Sequence, residues 1–287
     1  MSAAPPPTRP IKLLFLHGFT QSGPLFAAKC GALRKTLAKA FPAGITLSFP
    51  TAPRRLSPTD VSFLHGGNES KNQGGGEEEE EVDAWAWWQR KGSSGSAYTY
   101  EGLDEGLGRI AQVLRDEGPF DGVVGFSQGG AAAAMVASLL EPARRDAFQS
   151  LHAAGGGIPF PASFAADADA DEHRAIHPPL KFAVSYSGFA PQGPNPYRAF
   201  YEPRIETPML HFLGSLDTVV EESKSLALVE ACENSEGRVV YHPGGHFLPS
   251  TQKASVNALI GFIKEMLHQA EGEPKEEESV EDMHVPF

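Results

Sequence analysis

Residues 123–130 read VVGFSQGG, and the way this stretch folds decides what the rest of the chain must be. Val123 and Val124 favour an extended strand, whereas Ala131 to Leu140, AAAAMVASLL, is a run of helix formers. The chain must therefore turn from strand to helix between Gly125 and Gly129. Glycines on both sides tolerate strained dihedrals and let neighbouring backbone come close, which leaves Ser127 at the tip of the turn. The spacing G-x-S-x-G between strand and helix is that of a nucleophile elbow, where a serine is held exposed above a sheet. The plain alternative is a small-residue turn that caps a helix, and residues elsewhere must decide between the two.

Outward from this turn, short apolar runs alternate with helical patterns. IKLLFL at 11–16 has the continuous apolar character of a strand buried on both faces. Residues 25–41 place Leu25, Ala28, Leu33, Leu37 and Phe41 on one side of a helix, and ITLSF at 45–49 gives the next strand. Leu103, Leu107, Ile110 and Leu114 define a helix over 100–117 that stops at Gly118-Pro119. Further strands are expected at KFAVSYS (181–187), MLHFL (209–213) and RVVY (238–241), with helices over 221–232 and 252–268. Such alternation implies βαβ units and a mostly parallel central sheet flanked by helices, with chemistry at the carboxyl ends of its strands. Residues 56–97 and 150–179 break the alternation and read as loop insertions.

A serine hydroxyl is a weak nucleophile until a histidine accepts its proton, and that imidazole needs an acid on its other nitrogen. On an elbow of this kind the acid precedes the histidine in the chain, each on a loop after its own strand. Asp217 follows MLHFL in LGSLD; its plain use is as a cap or Asx turn ahead of the next helix. His246 follows RVVY in HPGGH, where Gly244 and Gly245 allow a tight return, and His242 is its rival. The oxyanion needs backbone donors. One is the NH of Gln128, and the second belongs to the loop LFLHGFTQSG at 14–23, on Phe19 or, less readily, Thr20. His17 is read as a structural residue of that turn.

The formal charge of −12 has a simple source. Residues 69–83 and 271–287 each hold seven acids and one lysine, so the remainder is neutral. Both stretches are polar and read as disordered, which predicts flexible residues 1–10, a single α/β domain over 11–268 with a disordered acidic insertion about 66–83, and a disordered acidic tail over 269–287. A charge of this origin says little about the substrate, and nucleic acid is not expected as a partner. Two cysteines, Cys30 and Cys232, give no disulfide framework, and no run reaches the ~18 apolar residues of a membrane span. A soluble, cytoplasmic protein without stable membrane insertion is expected.

LHGF, GFSQGG, the Asp217 loop and GGHFLP, together with Trp87-Trp88, the segment EGLDEGLGRIAQVLRDEGPFDGVVGFSQGG at 101–130 and VSYSGFAP at 184–191, resemble the FSH family of serine hydrolases in the α/β-hydrolase superfamily. The resemblance implies Ser127, Asp217 and His246 as catalytic residues. It implies hydrolysis of carboxylic esters or thioesters of medium to long acyl chains, without a cofactor. Release of a polyketide or fatty acyl chain from an acyl-carrier protein is the related alternative. Ser215 stands where members often carry an acid two residues before the triad aspartate, so a backup carboxylate is missing.

Trp87, Trp88 and Phe126 are candidates for an acyl-chain wall, against the simpler reading of core packing. DADADE at 167–172 lacks the glycine and glutamate of a calcium loop, and the glycine triplets lack the lysine and serine or threonine of a phosphate loop, so neither metal nor nucleotide is expected. Two other classes compete with a hydrolase. One is a noncatalytic protein that holds an acyl ligand in the same pocket; the other is an interaction protein working through its acidic segments.

Overall fold

In a computed structural model of the chain, the described residues are 9–62, 83–92, 98–165, 176–193 and 195–272. The N-terminus, acidic insertion and acidic tail expected above lie outside these, apart from Arg9, Pro10, Asp83 and the stretch up to Gly272. DADADE also lies outside them.

IKLLFL is the first strand, β1 (Ile11–Leu16). Its side chains alternate between two core layers, Leu14 and Leu16 in one and Ile11, Leu13 and Phe15 in the other, so both faces are covered. The single helix expected over 25–41 is instead two, α1 (Gly23–Lys29) and α2 (Gly31–Ala40). Ser22 caps α1 by accepting a hydrogen bond from the Leu25 NH at 3.4 Å, with Pro24 in the first turn. Cys30 then leaves helical geometry with ψ near 5°, and Gly31, a poor helix former, follows it. In consequence Phe26 is buried where Leu25 was expected, and Leu25 is exposed.

The next elements are β2 (Ile45–Ser48), β3 (Arg54–Arg55), α3 (Pro58–Ser62), β4 (Trp85–Ala86), β5 (Gln89–Lys91) and β6 (Thr99–Glu101). β3 pairs antiparallel with β4, and β5 with β6, so the stretch read as one loop insertion over 56–97 contributes β4 and β5 to two small ribbons with the strands that flank it. α4 (Leu103–Glu117) buries Leu103, Leu107, Ile110 and Leu114, as their spacing requires. Then come β7 (Gly122–Phe126), α5 (Gln128–Leu139), α6 (Arg144–Ala153), β8 (Phe182–Tyr186), β9 (Met209–Gly214), α7 (Glu222–Glu230), β10 (Val239–His242) and α8 (Lys253–Gly272).

Six parallel strands form the central sheet in the order β10-β9-β8-β7-β1-β2, the α/β arrangement expected from the alternation. The chain moves outward from β1 to β2, then returns through α4 to β7 on the other side of β1. Strand order therefore reverses between β1 and β7, and such a reversal opens a crevice beyond the carboxyl ends of both strands. Those ends lead into His17-Gly18 and into Ser127. Every residue of α5 is buried. Its small residues let it lie close to the sheet, where a Cβ on Gly130 would stand 2.8 Å from the Ser185 hydroxyl. At the opposite end of the sheet, Asp121 accepts hydrogen bonds from Arg9, Lys181 and the Lys12 NH. Burial pushes the Asp121 carboxyl up, but these three partners outweigh it and hold the group below the usual carboxylate range.

Candidate active site

Ser127 has φ 54° and ψ −117°, a left-handed backbone that a non-glycine residue adopts only under constraint. The constraint is visible on both sides. A Cβ on Gly125 would fall 1.9 Å from the Gly129 carbonyl oxygen, and one on Gly129 would fall 2.0 Å from that of Leu16. The Ser127 NH is held by the Tyr186 carbonyl at 2.7 Å, while its own carbonyl accepts from the NH groups of Gly130 and Ala131. The turn is thus wedged between β1, β8 and the start of α5, and only glycines fit two residues to either side of the serine.

The loops after β9 and β10 bring Asp217 and His246 to it. A Cβ on Gly214 would lie 2.5 Å from the Gly245 carbonyl, so these loops touch. They are also bonded: the Ser215 NH donates to the His242 carbonyl at 3.0 Å and the Leu216 NH to that of Gly244 at 2.9 Å. Ser215, which stands where a second carboxylate was noted as missing, adds its hydroxyl to the His242 carbonyl at 3.2 Å. His246 Nδ1 donates to Asp217 Oδ2 at 2.7 Å, and its Nε2 faces Ser127 Oγ at 2.9 Å. With Nδ1 protonated toward the carboxylate, Nε2 is the acceptor for the serine hydroxyl.

Asp217 combines its two possible uses. Oδ1 accepts from the NH groups of Val219 and Val220 at 2.9 and 3.0 Å, an Asx-type turn, while Oδ2 faces His246. Burial pushes its carboxyl up, but the Val220 NH, His246 and the Val219 NH together hold it below the usual range. His242, the rival histidine, is buried with its ring 5.1 Å from that of Phe247, and its Nδ1 has no hydrogen-bond partner among the described residues.

Gly18 packs against Ser127: a Cβ there would stand 3.0 Å from the Phe126 ring and 3.3 Å from Ser127 Cβ. The neighbouring Thr20 NH is committed to the Trp85 carbonyl at 2.9 Å. The NH groups of Phe19 and Gln128 make no hydrogen bond among the described residues, so both are free to meet the donor role expected of them. His17 is fully buried; its Nδ1 donates to the Gly18 carbonyl at 2.8 Å and its Nε2 accepts from the Ala52 NH at 3.0 Å. Burial lowers its pKa to about 4, so it is a neutral strut of the turn.

Of the three aromatic candidates, Phe126 borders the site, its ring 4.9 Å from His246. Trp87 and Trp88 are 0% and 2% exposed within the core, where a ligand reaches neither unless the loops move. Sequence reasoning missed three exposed apolar side chains on the loops that carry Asp217 and His246: Leu216, Val219 and Phe247 are 71%, 64% and 42% exposed. It also missed the Gln128 side chain, whose Oε1 accepts from the Trp87 NH at 2.9 Å and whose amide donates to the Trp88 carbonyl at 2.8 Å. Both thiols, Cys30 and Cys232, are free and buried, and burial pushes each up to about 12, which leaves them unreactive. No helix of the described residues is long and apolar enough to cross a membrane.

A protein-family model described as Serine hydrolase (FSH1) matches residues 7–258. The chain is 35% identical over 252 residues to a dihydrofolate reductase of Schizosaccharomyces pombe, a match that covers 84% of this chain but only 44% of that longer protein. It is 28% identical over 247 residues to esterase OVCA2 of Danio rerio, covering 84% of this chain and 91% of that one. Among solved structures, Zea mays acyl-protein thioesterase 2 superimposes with a TM-score of 0.54 at 19% identity, covering 92% of this chain and 96% of that one, a likeness of fold.

Proposed function

Because the chain belongs to the FSH1 family of serine hydrolases, we propose that it hydrolyses carboxylic esters or thioesters through an acyl-enzyme formed on Ser127. The observation that carries this reading is the line of contacts from Asp217 through His246 to Ser127, at 2.7 and 2.9 Å, and a proton on Nδ1 facing the carboxylate leaves Nε2 as the base. His246 Nε2 takes the hydroxyl proton as Ser127 Oγ attacks the acyl carbon. Asp217 orients the imidazole and offsets its transient charge, while the NH groups of Phe19 and Gln128 hold the oxyanion. His246 then returns the proton to the departing alcohol or thiol. Water, deprotonated by the same imidazole, releases the acid and restores the serine.

The exposed Leu216, Val219 and Phe247 support an apolar acyl chain of medium to long reach as the part of the substrate lying beside the relay. A relative named as an esterase supports the same bond type. Release of a polyketide or fatty acyl chain from an acyl-carrier protein is the same chemistry with a thiol as leaving group. Two buried, unpaired thiols fit a reducing compartment such as the cytoplasm.

The test is labelling of the full chain with a fluorophosphonate, the adduct located by peptide mass, beside turnover of a series of esters and thioesters. An adduct on Ser127 that disappears in His246→Ala, with turnover lost in both Ser127→Ala and His246→Ala, is the expected result. Ligand binding without any adduct or turnover would sink the enzyme and leave an acyl-ligand binder in its place. Turnover unchanged in Ser127→Ala would point to another nucleophile.

A further inference from the structure

We propose that the segment Trp85–Trp88 is a splint that sets the spacing of the two oxyanion donors, with Trp87 and the Gln128 side chain as positioning residues. The inference rests on the hydrolase reading above and deepens it. The two donors stand on separate pieces of chain. Phe19 belongs to the loop after β1 and Gln128 to the start of α5, and the β1–β7 pairing stops at Leu16 and Gly125. Beyond that point no hydrogen bond joins the two pieces directly among the described residues.

Both are joined instead to the tryptophan segment. On one side, the Thr20 NH donates to the Trp85 carbonyl at 2.9 Å, Gln21 forms an antiparallel bridge with Trp85, and the Trp87 indole NH donates to the His17 carbonyl at 2.9 Å. On the other side, the Gln128 carboxamide is held at both ends, accepting from the Trp87 NH at 2.9 Å and donating to the Trp88 carbonyl at 2.8 Å. Trp87 therefore contacts both halves at once, its indole the loop of Phe19 and its backbone the helix of Gln128. The segment is braced from behind, because a Cβ on Gly106 in α4 would stand 2.1 Å from the Trp87 carbonyl oxygen. His17, Trp87, Trp88 and Gln128 are all buried, so water offers these groups no substitute partner.

Oxyanion donors act only when aimed at the place where charge develops, and a displacement of ~1 Å costs on the order of 10²-fold in rate. A splint that sets their spacing is thus a rate element that never touches substrate. Two substitutions remove its bonds while keeping the backbone NH groups: Gln128→Met deletes both carboxamide bonds at nearly constant bulk, and Trp87→Phe deletes the indole donor together with one ring, a loss of volume that the thermal measurement below registers. We expect kcat to fall on the order of 10-fold or more in each, with KM for a short ester nearly unchanged. The affinity for a boronic acid or trifluoromethyl ketone, which mimic the tetrahedral intermediate, falls in parallel with kcat.

Thermal unfolding measured on the same samples separates placement from stability. A lower melting temperature with kcat and analogue affinity at wild-type values well below the transition would overturn the splint. So would a rise in KM with analogue affinity unchanged. If Gln128→Met does not fold, Trp87→Phe carries the same test through the other half of the site. A wild-type protein that neither takes fluorophosphonate nor turns over any ester brings down the hydrolase reading and the splint together. Active wild type with variants equal to it brings down the splint alone.

Discussion

Asp217 shows how one side chain carries two duties, since Oδ1 builds the turn that aims Oδ2 at His246. Replacement by asparagine preserves the shape and one acceptor for the turn but presents an amide, or the wrong tautomer partner, to the imidazole. We expect Asp217→Asn to fold normally and to lose kcat by roughly 10³- to 10⁴-fold, measured on a chromogenic ester. A loss of less than about tenfold would mean that the carboxylate is not coupled to the base. Ser127, Asp217 and His246 could be singled out in sequence because each follows its own strand within a glycine-containing turn, a local pattern that needs no partner to be recognised. The Gln128 clamp could not. A glutamine opening a helix has the look of a solvated residue, and only packing of a remote segment, 41 residues away, makes its carboxamide a buried bridge.

At the scale of elements, the loops after β9 and β10 behave as one piece, joined by backbone bonds and carrying Leu216, Val219 and Phe247 outward. A chain-length series measures what that rim does. Phe247→Ser, together with Leu216→Ser, should raise KM for a long acyl ester severalfold while leaving KM for an acetyl ester nearly unchanged, since each buried methylene is worth ~0.8 kcal/mol. Equal effects on both substrates would place the acyl chain elsewhere. The strands and α4 were legible because their apolar periods are long enough to read. The split of α1 from α2 was not, because the apolar spacing continues through Cys30 and only the caps interrupt it. β3 to β6 were equally hidden: strands of two or three residues have no measurable period, and tertiary pairing decides them.

The whole molecule buries several histidines in neutral form, and this sets its response to acid. Burial lowers His17 and His211 to about 4, and His177 and His242 are also lowered by burial. Each depressed histidine stabilises the fold fully above its unfolded value, near 6.5, and that contribution is lost as pH falls toward the folded value. Asp121 and Asp217, lowered by their partners, lose theirs at still lower pH, as it falls through their folded values. Both act in the same direction, so the melting temperature should decline as pH drops from about 6.5 toward 4, with His17 alone contributing about 3 kcal/mol as an upper bound. A flat melting curve across that range would contradict neutral burial. One more consequence follows from where the parts of the relay sit. Ser127 opens α5, a helix buried along its whole length at the centre of the sheet, whereas His246 and Asp217 hang from the outermost strand β10 and its neighbour. Under rising denaturant the periphery loosens before the middle, so the proposed activity would fall silent while most of the protein is still folded, with Ser127 in place and His246 gone.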